Sequence, residues 1–138
     1  MKIKSLLILV CLFLILPLQV KGQHKLPNTN YTALIKNSKS LTGALETAEE
    51  LMIADPQNFG EFQIVFCGKS IHEITEANIM DPILKRIGSK PIKVIACGFS
   101  LNKFKVDRTK IPQEITTVEN GILHQFQLLK KGYLNLDL

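Results

Sequence analysis

Two apolar periodicities alternate along this chain. From Leu41 to Met52 the apolar positions Leu41, Ala44, Leu45, Ala48, Leu51 and Met52 recur at steps of three and four, with Glu46, Glu49 and Glu50 opposite. That spacing predicts an amphipathic helix, ended by Asp55-Pro56. A second helix is expected over 78–87, where Ile79, Met80, Ile83, Leu84 and Ile87 share a face. Pro82 must then start that helix or lie in its first turn, because a later proline breaks the hydrogen-bond ladder. A third helix is capped by Asn120, buries Ile122, Leu123, Phe126 and Leu129, and stops at Gly132. Five segments between these read as strands: 31–35, 62–67, 92–97, 114–118 and 133–138. The second is β-branched and aromatic and is closed by Gly68; the third is apolar on both faces, as a central parallel strand is. Ser70 and Glu73 have the three-residue spacing of a reciprocal helix cap, and 99–110 reads as a short helix and loop. Strands alternating with helices build βαβ units, so the expected fold class is α/β, a mainly parallel sheet of about five strands covered by helices on both faces.

The amino end has a different pattern. Lys2 and Lys4 precede the uncharged apolar run Leu6–Leu16, Pro17 ends it, and Val20-Lys21-Gly22 suits a signal peptidase, so cleavage is expected after Gly22. The eleven-residue run is short of the roughly 20 residues that span a bilayer, which leaves an uncleaved membrane-held segment as the alternative. The expected organisation is a signal peptide over 1–22, a flexible lead-in over 23–30 and one α/β domain over 31–138, exported to the periplasm. Cys11 would leave with the signal. Residues 1–22 hold three lysines and no acidic residue, so cleavage lowers the formal net charge of +5 by three, to +2. With the remaining basic residues scattered, nothing favours nucleic acid as a partner.

Cys67 and Cys97 are the cysteines left for chemistry. They are too few for a disulfide scaffold, no Cys/His spacing suits a structural metal, and no cofactor is expected. Gly68-Lys69-Ser70 is not a phosphate loop, because Gln63 stands where that motif needs glycine. Both cysteines fall at the carboxyl ends of strands, the edge where open parallel sheets collect their ligands. Both sit in the form C-G-x-S-apolar, Cys67 to Ile71 and Cys97 to Leu101. Glycine there allows a sharp turn, serine can cap the turn after it, and amides aimed at the sulfur favour the thiolate. Lys103, Lys105 and Arg108 can add to that field. The alternative is that both cysteines pack as small apolar side chains. Neighbouring strands would also bring them within disulfide range, unless their side chains point to opposite faces. His72, near Cys67, reads as an exposed turn residue, Glu73 as a cap, His124 as a partly packed surface residue, and His24 lies in the lead-in.

From about Phe62 onward the chain resembles the DsrE/DsrF-like family of small sulfur-relay and related proteins. The resemblance lies in Val94 to Leu101, the segment Asp107 to Pro112, the turn Val118-Glu119-Asn120-Gly121 and Gly132-Tyr133. It implies a three-layer α/β/α domain, homo- or hetero-oligomers, a sulfur-donor or acceptor protein as partner, and a cysteine that accepts sulfur as a persulfide. Cys97 matches that cysteine, with Gly98 and Ser100 as its supporting turn and Cys67 as a possible second thiol. The chain departs from the family pattern at Lys105, where many members carry glycine, at Cys67, and in its export-type amino end. The function expected on this basis is sulfur transfer through Cys97. The alternatives are a binding or oligomerisation domain with structural cysteines, and a thiol-disulfide protein using both thiols.

Overall fold

The computed structural model describes residues 28–138. The expected cleavage site, Cys11, His24 and most of the expected lead-in lie outside the described residues. Strand β1 (Thr29–Ile35) begins two residues before the expected start at Tyr31 and leads into helix α1 (Ser38–Ala54). Next come β2 (Phe59–Phe66), a 3-10 segment (Lys69–Thr75), α2 (Ala77–Ile87) and β3 (Ile92–Cys97). The chain continues through the short helix α3 (Gly98–Lys103), β4 (Thr116–Val118), α4 (Gly121–Lys130) and β5 (Leu134–Asp137).

All the strand pairings are parallel, in the spatial order β4-β3-β2-β1-β5. The chain steps one way across the sheet from β1 to β4 and then returns over it to place β5 beside β1. Right-handed crossovers then put the helices of the forward steps on one face and α4, the helix of the return step, on the other. Packing agrees: α1 lies against β1, β2 and α2, while α4 lies across β1, β2 and β3. The result is a three-layer α/β/α domain. Alternation along β2 sorts the core, with fully buried Phe62, Ile64 and Phe66 facing α1 and α2, and Gln63, Val65 and Cys67 facing α4.

Three local expectations are corrected. Ser70 and Glu73 do not cap one another, because the 3-10 turn begins at Lys69 and places Ser70 inside it. Glu73 Oε2 instead accepts the Ser38 N–H at 2.7 Å, and Asn37 accepts from Ser40, so two side chains cap α1. Pro82 is the sixth residue of α2, in its second turn. Asn78, whose carbonyl loses a partner there, is exposed, so water can satisfy it. The largest correction is the rotation of α4: its buried residues are Gly121, Gln125 and Leu128. Ile122, Leu123 and Phe126 are 55%, 55% and 60% exposed.

Polar bonds across the sheet account for that rotation. The Thr32 hydroxyl lies 2.8 Å from Gln125 Oε1, and Gln125 Nε2 donates to Asn135 Oδ1 at 2.7 Å. His124 Nε2 sits 2.8 Å from Gln63 Oε1, and Gln63 Nε2 donates to Glu61 Oε1. Burial opposes ionisation of Glu61, but donors on Lys93, Tyr133 and Gln63 outweigh it and hold the carboxyl at about 2 rather than 4.5. A carboxyl depressed in the fold stabilises it above the unfolded-state value and loses that contribution as pH falls. Glu61→Gln is therefore expected to be less stable than wild type at neutral pH, with the difference closing between 4.5 and about 2. Urea unfolding at a series of pH values measures this, and a pH-independent difference would contradict it.

Candidate functional site

β2 and β3 pair in register through Phe66↔Ala96, so the next residues, Cys67 and Cys97, stand side by side where the two strands end. In a parallel pair, residues in register project to the same face. Both thiols accordingly face the first turn of α4. A β-carbon built on Gly121 would lie 2.5 Å from Cys67 Sγ, 2.8 Å from Cys97 Cβ and 3.1 Å from Val65 Cγ1. Only a glycine lets the helix come down this far.

That approach brings a backbone donor to sulfur: the Gly121 N–H points at Cys97 Sγ at 3.2 Å. Asn120 caps α4, accepting from the N–H groups of Ile122 and Leu123, which leaves the Gly121 N–H for the thiol. Burial alone would push the Cys97 thiol up. The Ser100 hydroxyl, the Gly121 and Ser100 amides and the Cys67 thiol all donate to it, and together they bring it below the ordinary value of 9.0. Cys67 goes the other way. Burial, the neighbouring Cys97 charge and the hydrogen bond to Cys97 push it up to about 12. The pair thus sets a thiol that ionises more readily than usual beside one that keeps its proton, and both cysteines are free.

The two C-G-x-S turns prove unlike. Gly68 has a φ of +95°, a region open to glycine, and makes the sharp turn expected of it. Gly98 is helical, and its requirement is close approach: a β-carbon there would lie 2.8 Å from the Val118 carbonyl oxygen. Ser100 caps nothing; its Oγ accepts the Gly68 N–H at 3.0 Å, tying the two turns together, and donates to Cys97. Ser70 has no corresponding part.

The sulfurs line a cleft of about 230 Å³ at the carboxyl ends of β1, β2 and β3, beneath α3 and α4. Its walls are Leu34, Phe99, Phe104 and Ile122, with Lys36 and Lys103 also in the lining. Phe99 and Ile122 are largely exposed, so the cleft opens to solvent although Cys97 is 2% and Cys67 6% exposed. Lys36 escapes a reading by motif, since it lies far along the chain from either cysteine turn; the turn holding Asn120 and Gly121 is singled out in the sequence, but its place over the sulfurs shows only in the fold.

Of the other singled-out residues, Arg108 reaches Gly98 O and Asn102 Oδ1 and braces α3. Lys105 does not line the cleft; it takes a φ of 53°, the left-handed region. His72 is exposed, beside Lys69 O and Glu76. A separate groove of about 320 Å³ between α1 and α2, lined by Thr42, Pro82 and Arg86 among others, contains no nucleophile comparable to Cys97. Among the described residues no three His, Cys, Asp or Glu side chains converge to hold a metal, and no helix is long and apolar enough to cross a membrane.

No protein-family model and no curated protein matches the chain. Solved structures are similar in fold. One is a protein of unknown function from Methanobacterium thermoautotrophicum, with a TM-score of 0.66 at 12% identity, covering 81% of this chain and 99% of that one. Another is a conserved protein of unknown function from Bacteroides thetaiotaomicron, with a TM-score of 0.58 at 20% identity, covering 79% and 94%. Likeness at these identities extends to the fold alone.

Proposed function

We propose that this chain is an exported sulfur carrier of the DsrE/DsrF-like kind, in which Cys97 accepts sulfur as a persulfide. The observation that carries the reading is the Gly121 N–H donated to a sulfur at the foot of an open apolar cleft. A thiolate attacks where a thiol does not, and the donors around Cys97 favour its anionic form. In the proposed step the Cys97 thiolate attacks the terminal sulfur of a donor persulfide, R–S–SH. The donor's S–S bond breaks, Cys97 becomes Cys97–S–SH, and the donor leaves as the thiolate R–S⁻. Lys36 and Lys103 favour a donor that carries negative charge. Self-association, or docking with a donor protein, through the exposed face of α4 belongs to the same reading.

Reduced protein incubated with a small persulfide is expected to gain the mass of one sulfur on Cys97. Cys97→Ala should gain none, and Cys67→Ser should keep the adduct. Alkylation of Cys97 should persist at pH values below the ordinary thiol value of 9.0. Absence of the adduct from both wild type and Cys67→Ser would end the proposal.

A further inference from the structure

The sulfur-carrier step uses Cys97 and leaves Cys67 without a part, although the fold places both at one point. Backbones of adjacent strands run about 4.8 Å apart, inside the Cα separation of about 4.4–6.8 Å that a disulfide spans. The in-register strand ends and their common approach to Gly121 settle the direction of the side chains: the two thiols share a face. They lie close enough for each to shift the other's ionisation, and they line the same cleft. Gly121 closes over Cys67 so tightly that an added β-carbon would come within 2.5 Å of its sulfur, which leaves Cys67 crowded as a site for an extra atom. Its open direction is towards Cys97.

Resting on the sulfur-carrier reading, we infer that Cys67 is a resolving thiol: it attacks the inner sulfur of the Cys97 persulfide, releases the carried atom as sulfide, and leaves a Cys67–Cys97 disulfide. The bonds balance as Cys97–S–SH plus Cys67–SH giving Cys97–S–S–Cys67 and one molecule of hydrogen sulfide. The Cys67 proton leaves with the sulfide, the carried sulfur is reduced and the Cys67 sulfur oxidised, while the Cys97 sulfur keeps the oxidation level it took on loading. An external dithiol then returns the pair to its reduced state by exchange. Timing is set by the same contacts. Burial is the main reason Cys67 keeps its proton, and while Cys97 is a thiolate its neighbouring charge adds to that opposition. Once Cys97 Sγ carries sulfur, the charge moves out to the terminal sulfur, one bond further from Cys67, and its share of that opposition weakens. The carrier would thus hold its cargo briefly, discharging it as sulfide unless an acceptor arrives first.

The test loads reduced protein with inorganic polysulfide, removes the excess by desalting, and tracks released sulfide, free thiols and intact mass. Wild type is expected to release sulfide in step with the loss of both thiols and the appearance of an intramolecular disulfide. Cys67→Ser and Cys67→Ala, which are smaller and fit beside Gly121, should retain the adduct on Cys97 at least about tenfold longer. Equal adduct lifetimes in wild type and both variants would overturn the resolving role and leave the carrier reading standing. No adduct on Cys97 in wild type or in either variant would remove the carrier reading and this inference together.

Discussion

Gly121→Ala is expected to slow alkylation of Cys97 by about tenfold near neutral pH, as charge-assisted hydrogen bonds of roughly 1.5–3 kcal/mol would imply if one were largely lost. The added methyl would lie 2.5 Å from Cys67 Sγ, 2.8 Å from Cys97 Cβ and 3.1 Å from Val65 Cγ1. Those atoms belong to the ends of β2 and β3 at the centre of the sheet and cannot swing aside as the tip of a lysine would. The first turn of α4 must therefore lift, lengthening the 3.2 Å contact between the Gly121 N–H and the thiol. Overpacking of this kind costs about 1–3 kcal/mol, against which the better helix propensity of alanine, about 1 kcal/mol in a helix interior, counts for less in a first turn. Both effects are measurable, by iodoacetamide kinetics and by urea unfolding. Adding Cys67→Ala to Gly121→Ala removes the nearest clashing atom and should restore part of the stability. Unchanged alkylation kinetics in Gly121→Ala would show that this amide does not govern the reactivity of Cys97.

Leu123→Asp and Phe126→Asp are expected to convert a self-associating wild type into a species with the mass of a single chain, with little change in the stability of the single chain itself. Ile122, Leu123, Phe126 and Leu129 project from α4 away from the sheet, and Phe99 stands exposed beside the cleft. Burying such side chains is worth about 1.5–3 kcal/mol each, enough for a few of them to support association. Within one chain they touch little, and surface replacements usually shift stability by no more than about 0.5 kcal/mol. Light scattering after size-exclusion chromatography distinguishes the cases. A wild type that remains a single chain at micromolar concentration would remove self-association from the proposed function.

The α4 face shows where reading the chain by periodicity reached its end. Ile122, Leu123, Phe126 and Leu129 satisfy a helical period and read as the core side, yet it is Gly121, Gln125 and Leu128 that are buried. No local pattern marks Gln125 as an inward residue. It is buried because Thr32, ninety-three positions away, and Asn135 supply its partners. Glu73 is similar: its spacing from Ser70 suggested a local cap, but the N–H it accepts belongs to Ser38 on the neighbouring helix.

Strand and helix order, the parallel sheet and the position of Cys97 at a strand end were all legible in the amino-acid sequence, because hydrophobic alternation, glycine and proline act within a few residues of where they stand. The tertiary structure alone decided which sulfur is favoured as an anion. The Gly121 amide lies twenty-four residues beyond Cys97, and the Ser100 hydroxyl that donates to Cys97 is itself held by the Gly68 N–H thirty-two residues before it. Contacts of that span exist only after the return crossover lays α4 over the ends of β2 and β3, where a missing side chain lets backbone meet thiol.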